Sequence, residues 1–404
     1  MRSDHPTPVT KLARSLAVVA CAVIGIGVGF PSPAAADEIR DKQWHLDYLD
    51  IAKAHEITRG EGVTVAILDS GVDYRHPDLK GALLEGKTYA GGRSDGWEDA
   101  DGHGTAMAAL VAGRGHGPRN RDGALGVAPA AKILPVRTEN GKVGDSRGLQ
   151  QGIEWAADHG ADILSISQGF ADNPDIAESV NYAINKGVVI VASAGNTAKG
   201  ETDVVAPARY PGVIAVSGSD HDGNFTDEFV SGPQVVLSAP ATDVASAGGT
   251  TGKGYGSGTG TSPAAAIAAG VAALVKAKYP DLDAANVINR LIRTADDRGP
   301  EGRDSQYGFG VVDPVAALTD DVPAVKANPL IKPSGSASKP PAEAKNHDGA
   351  GIGPAGYGLI AIGTLGAVTL AIVALIAVNR RRRIAPANGP THHGQVRPPT
   401  PPHP

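Results

Sequence analysis

The chain has 404 residues, 41% of them hydrophobic and 20% charged, enough for one large domain with accessories and able to bury a core. A net charge of −6 and an aromatic content of 4% argue against nucleic acid as a partner, since neither a basic face nor a base-stacking platform is implied. With 53 glycines and 30 prolines, loops and linkers must be extensive. In chain order, Lys11 and Arg14 precede an apolar run over 16–30, which closes on Ala34, Ala35 and Ala36, small residues suited to signal peptidase. This is the pattern of a secretory signal over 1–36, with a mature chain starting near Asp37. Cys21, the single cysteine, lies within that segment, so the mature protein is expected to have neither a disulfide nor a cysteine nucleophile.

An N-terminal extension is expected over 37–62, and the main domain over 63–319. Segments 63–68, 132–136, 162–166 and 188–192 are short, rich in Val and Ile, and read as buried strands. Segments 147–159 and 174–186 between the last three carry apolar residues at helical spacing, and 262–278 is an Ala-rich helix suited to a closely packed central position. Buried strands alternating with helices predict an α/β fold, a mostly parallel twisted sheet with helices on both faces.

Beyond residue 318 the character changes. Residues 320–356 are rich in Pro, Ala, Gly, Ser and Lys and predict a flexible or extended linker. Residues 357–378 carry no charge and suffice to cross a hydrocarbon core of about 30 Å as one helix. Arg380, Arg381, Arg382 and Arg383 follow directly, which places the 379–404 tail in the cytoplasm and the main domain outside. The expected location is therefore a cell membrane, spanned once. The tail is Pro-rich, and its His392-His393 pair is read as solvated rather than as a metal site.

Three segments carry candidate chemistry. A strand ends in Asp69; Asp101-Gly102-His103-Gly104-Thr105 leads into an Ala-rich helix; Gly258-Thr259-Gly260-Thr261-Ser262-Pro263 leads into another. Taken singly, Asp69 reads equally as a strand-end turn residue, and His103 and Ser262 as helix caps. Together they are the nucleophile, base and orienting anion that amide hydrolysis demands. A serine hydroxyl is too weak alone, an imidazole supplies a base near neutrality, and a carboxylate fixes its tautomer.

The set resembles the subtilisin-like peptidases, which carry these groups in the same chain order. The resemblance covers about residues 42–318. It implies a serine endopeptidase acting through an acyl-enzyme, with Asp69, His103 and Ser262 as the catalytic triad. Asn196, at the end of 189–196, resembles the family's oxyanion-hole residue, although alone it also suits a turn. Ser167, Gln168 and Gly169 resemble one wall of the substrate pocket, and Ser193, Ala194 and Gly195 the other. Ala206-Pro207 falls where the family often has a cis proline.

Two departures are expected to matter. Pro263 stands where the family usually has methionine, and proline is comfortable in the first turn of a helix. Oxidative inactivation through a methionine next to the nucleophile is therefore not expected. Too few residues lie between Asp37 and Asp69 for the folding-assistant domain of many members. Short extension, catalytic domain, Pro-rich linker, membrane span and basic tail together look like the mycosins, membrane-anchored proteases of type VII secretion. That resemblance implies protein or peptide substrates and a secretion membrane complex as partner. The alternative it leaves open is a scaffold for that complex, with proteolysis secondary. The chemistry requires no cofactor and no metal site is assigned; structural calcium is common in the family, without ligands identified in this sequence.

Overall fold

The computed structural model describes residues 38–140, 145–248 and 254–331. The expected signal, the linker beyond residue 331, the span over 357–378 and the tail lie outside the described residues. Among the described residues no helix is long and apolar enough to cross a membrane.

The first elements in chain order are α1 (Trp44–Tyr48), α2 (Ile51–Ile57), β1 (Thr64–Asp69), β2 (Lys87–Thr88), α3 (His103–Ala112), β3 (Arg114–His116), β4 (Asp122–Leu125) and β5 (Lys132–Arg137). Then come α4 (Ser146–Asp158), β6 (Ile163–Ile166), α5 (Pro174–Asn185), β7 (Val189–Ser193), β8 (Ile214–Ser219) and β9 (Val235–Pro240). The remainder is β10 (Val244–Ala247), β11 (Tyr255–Gly258), α6 (Thr261–Lys278), α7 (Ala284–Arg293) and α8 (Pro314–Thr319).

Seven strands form one sheet in the order β2-β5-β1-β6-β7-β8-β9, and every neighbouring pair is parallel. Every residue of β6, β7, β8 and β9 is buried, as a parallel sheet covered on both faces requires. The four strands and three helices expected from the sequence form within a residue of their expected ends, while β8 and β9 extend the sheet beyond them. The chain leaves β1 for β5 on one side and then returns to β6 on the other. That switch opens a crevice at the carboxyl end of β1, the usual place for a ligand in such sheets.

Helix α6 is buried from Thr261 to Val275. Its alanines 264, 265, 266, 268 and 269 let it lie close against its neighbours, and a Cβ on Gly270 would stand 2.7 Å from the Val127 Cβ. Extra methylenes there would cost roughly 1–3 kcal/mol of overpacking. The N-terminal extension packs on the hairpins. Gln43 Oε1 accepts from Leu125 N at 2.8 Å, Gln43 Nε2 donates to Leu125 O and to Ala245 O, and Trp44 Nε1 donates to Thr242 O at 3.1 Å. Arg40 Nε adds a bond to Gly123 O at 2.9 Å.

Candidate active site

Asp69 is the last residue of β1, a strand whose apolar residues place it at the sheet's carboxyl edge, 1% exposed. Its Oδ1 accepts from Ser70 N at 2.8 Å and from His103 Nδ1 at 2.7 Å. With Nδ1 committed as donor, Nε2 of His103 is left as the acceptor. His103 is the first residue of α3 and its side chain is 35% exposed.

What brings that helix so near the strand is written in two small residues and one carboxylate. A Cβ on Gly104 would overlap the Gly71 carbonyl oxygen and stand 3.2 Å from the Asp69 Cβ, so only glycine permits the approach. Asp99 Oδ1 accepts from Asp101 N, Gly102 N and Ser70 Oγ, and its Oδ2 from Thr105 N at 2.8 Å. A carboxylate thus occupies the amino end of α3, satisfying N–H groups that the helix leaves open.

Ser262 is the second residue of α6, and the cap position falls on Gly260, at φ 152°. The side chain of Ser262 is free of capping duty. Its Oγ donates to Ser167 O at 3.3 Å, and among the described residues it makes no hydrogen bond to His103. Such bonds are often loose before substrate arrives. Asn196 follows the loop after β7, and its Oδ1 accepts from Thr261 N at 2.8 Å, which leaves Nδ2 as the free donor. A Cβ on Gly260 would stand 3.0 Å from that Oδ1 and crowd the arrangement.

His103, Asn196 and Ser262 line one cleft of about 470 Å³, together with Met107, Leu110 and Pro263. Met107, one turn beyond His103, is the methionine nearest this chemistry, and Pro263 occupies the first turn of α6. None of the described residues of the extension, 38–62, lines the cleft.

The two expected wall segments lie at the carboxyl ends of β6 and β7, the second beginning with Ser193, the last residue of β7. Ser167 Oγ donates to Ser262 O, and Gly195 N donates to Thr261 Oγ1, so both walls are tied to the start of α6. Gln168 is buried, and its Nε2 donates to Thr138 Oγ1 at 2.8 Å; its amide is turned to the end of β5. Between the walls sits a residue the sequence did not announce: Glu201 Oε2 accepts from Asn196 N at 2.6 Å, with its carboxylate against Gly169 and Gly195. The peptide bond Ala206-Pro207 is cis.

Burial opposes charge on the His103 imidazole, but the Asp69 carboxylate, with Glu139 and Asp101 behind it, raises its pKa to about 9. Glu139, also missed in the sequence, is pushed up to about 7 by burial and by Asp69. Asp69, His103 and Glu139 each place a ligand atom within 4.8 Å of the others. The set does not fit calcium, which takes about six to eight oxygens; it offers one nitrogen and two carboxylates, and His103 Nδ1 is already bonded to Asp69.

Known proteins share this arrangement of chain. The model of the subtilase family, peptidase S8, matches residues 60–310. Mycosin-1 of Mycolicibacterium smegmatis is 31% identical over 348 residues, covering 72% of this chain and 76% of the relative. The thermostable alkaline protease of Halalkalibacterium halodurans is 37% identical over 273 residues, covering 67% of this chain and 71% of the relative. The crystal structure of MycP1 from Mycobacterium smegmatis matches at a TM-score of 0.62 and 32% identity, over 73% of this chain and 88% of that one.

Proposed function

Because the chain belongs to the subtilase family and is a serine endopeptidase, we propose that Asp69, His103 and Ser262 are its catalytic triad and Asn196 its oxyanion donor. The observation that carries the reading is the 2.7 Å bond from His103 to Asp69 beside a cleft that also holds Ser262 and Asn196.

A rotation of the Ser262 side chain away from Ser167 O brings Oγ towards His103 Nε2. Oγ attacks the scissile carbonyl carbon while Nε2 takes its proton, and Asp69 stabilises the imidazolium through Nδ1–H. The carbonyl oxygen, now negative, receives Asn196 Nδ2–H and the backbone N–H of Ser262, a group at the open amino end of α6. His103 returns the proton to the leaving amine, and water repeats the cycle on the acyl-enzyme. Pro263 lacks an N–H, but none is asked of it. The substrate would lie extended along Ser167, Gln168 and Gly169, with Ser193, Ala194 and Gly195 as the facing wall. No step calls for a metal or cofactor.

The apolar run over 1–36, the uncharged stretch over 357–378 and the four arginines after it support an exported domain tethered to a cell membrane, tail inward. Similarity to mycosin-1 and to "MycP1 from the ESX-1 type VII secretion system" supports a task in type VII secretion, with protein substrates and a membrane complex as partner.

Labelling with a serine-reactive fluorophosphonate tests the site. Wild type is expected to label and Ser262→Ala to label not at all; equal labelling, or none in folded wild type, overturns the triad. In cells, secretion that survives Ser262→Ala but not deletion of the protein would assign the main role to scaffolding.

A further inference from the structure

One carboxylate near His103 has no part in the steps above. Strand β1 stops at Asp69, paired with Arg137 of β5, while its other neighbour, β6, ends at Ile166 opposite Leu68. The chain continues past both neighbours, as Thr138 and Glu139 after β5 and as Ser167, Gln168 and Gly169 after β6. Thr138 N donates to Asp69 O at 2.9 Å, and Gln168 Nε2 donates to the Thr138 hydroxyl from the other segment. Glu139 is thereby held by the residue before it, half-buried, with a carboxylate oxygen within 4.8 Å of both an Asp69 oxygen and a His103 nitrogen.

We propose that Glu139 is a positioning residue of this protease: its carboxylate faces the imidazolium that forms when His103 takes the Ser262 proton, and its protonation state sets the pH range in which His103 serves as base. The inference rests on the triad proposed above.

The charged groups around the pair are Asp69 from β1, Asp101 from the loop before α3, Lys199 from the turn after β7, and Arg137 from β5, whose Nε donates to Glu139 O at 3.3 Å. Burial and the Asp69 charge favour the neutral form of Glu139, against the pull of His103 and Lys199, so it titrates near pH 7. Below that pH, His103 faces Asp69 with a neutral acid beside it. Above it, a second negative charge favours the imidazolium and raises His103 further. His103 must be neutral to act as base, so each added negative charge moves the rise of activity to higher pH. The same charge steadies the cation in the transition state, where it adds to Asp69. The groups titrate as a coupled set, and the pH profile reports the set as a whole.

Glu139→Gln removes the charge and keeps the shape. In a profile of kcat/KM from pH 5 to 10 on an uncharged peptide substrate, its acid limb is expected roughly one pH unit below that of wild type, the size for one charge at this separation under partial screening. KM for that substrate should stay constant while kcat on the alkaline plateau falls several-fold. Glu139→Lys should move the limb further in the same direction. Limbs that coincide, or a Lys variant whose limb moves up, overturn the inference. Fluorophosphonate labelling of wild type and Ser262→Ala is run alongside. Failure there removes the triad and this inference with it, whereas Ser262-dependent labelling with an unmoved limb removes the inference alone. Should Glu139→Gln fold poorly, Glu139→Ala carries the same measurement.

Discussion

Two regions of the molecule each draw a histidine partly or wholly out of water and treat it in opposite ways. In the cleft, His103 keeps a carboxylate partner at 2.7 Å, and despite burial its pKa is raised to about 9. In the N-terminal extension, His45 is fully buried in α1 with no hydrogen-bond partner for either ring nitrogen among the described residues, and burial lowers its pKa to about 3. The same side chain is thus readied for charge in one place and denied it in the other. The two differ in depth, His103 being about a third exposed and His45 fully buried, and in the neighbouring anion that only His103 has. An imidazole drawn into a fold keeps its affinity for a proton only where a counter-charge is brought beside it.

The comparison breaks hardest at Asp69. Replacing it by Asn should cost about 10⁴-fold in kcat, through a wrong imidazole tautomer. It should also bring His103 down from about 9 towards the behaviour of His45, visible by titrating the ring by NMR. An unmoved His103 in a folded Asp69→Asn variant would show that the carboxylate is not what holds it.

Asn196→Ala is the next largest, roughly 10²–10³-fold in kcat, the size known for subtilisin's oxyanion asparagine. It should leave the acid limb of the pH profile in place, because in the proposed mechanism it removes a donor to the substrate oxygen and no charge near His103. A displaced limb would mean that oxyanion stabilisation and imidazole basicity are not separable in this cleft.

The smallest effect belongs to His45. Its pKa is lower in the folded chain than the ordinary histidine value of 6.5 that applies when unfolded, so below that pH the unfolded chain binds the extra proton. Stability from this residue is therefore present above pH 6.5 and drains away as pH falls towards 3, by at most about 1.4 kcal/mol per pH unit. His45→Leu should flatten the decline of Tm between pH 7 and 4.5. Parallel Tm curves for the two proteins would sink this account.

Local pattern placed Asp69 at the end of an apolar strand and His103 and Ser262 at the starts of Ala-rich helices, where the structure has them. Reading them together as a site took the combination of the three and its resemblance to a family. Asn196, which alone also suits a turn, was picked out by that resemblance. Glu139 and Glu201 had no such frame: one lies two residues past β5, the other in a turn-rich loop. Their importance comes from what the fold brings opposite them. Gln168 was read as a pocket residue from resemblance to a family, but its direction depends on Thr138, thirty positions away just past β5. The cap of α6 was invisible because Gly260 has no side chain to advertise it, and the acceptor for Thr261 N is Asn196 Oδ1, from a distant part of the chain. Strands β8 and β9 were missed because no helical pattern separates β7, β8 and β9, and Ser217, Gly218 and Ser219 dilute the apolar run.

The bond from Gln43 to Ala245 spans 202 positions of sequence. The extension is among the earliest stretches of the domain to be synthesised, yet its binding surface is finished only when β10 has been made and folded. Contacts of such long range form late, since chain closure precedes their reward. For the interval between, the freshly made protein carries an untied leading segment. That segment gains its fixed place on the domain only when Ala245 O is there to accept from Gln43 Nε2.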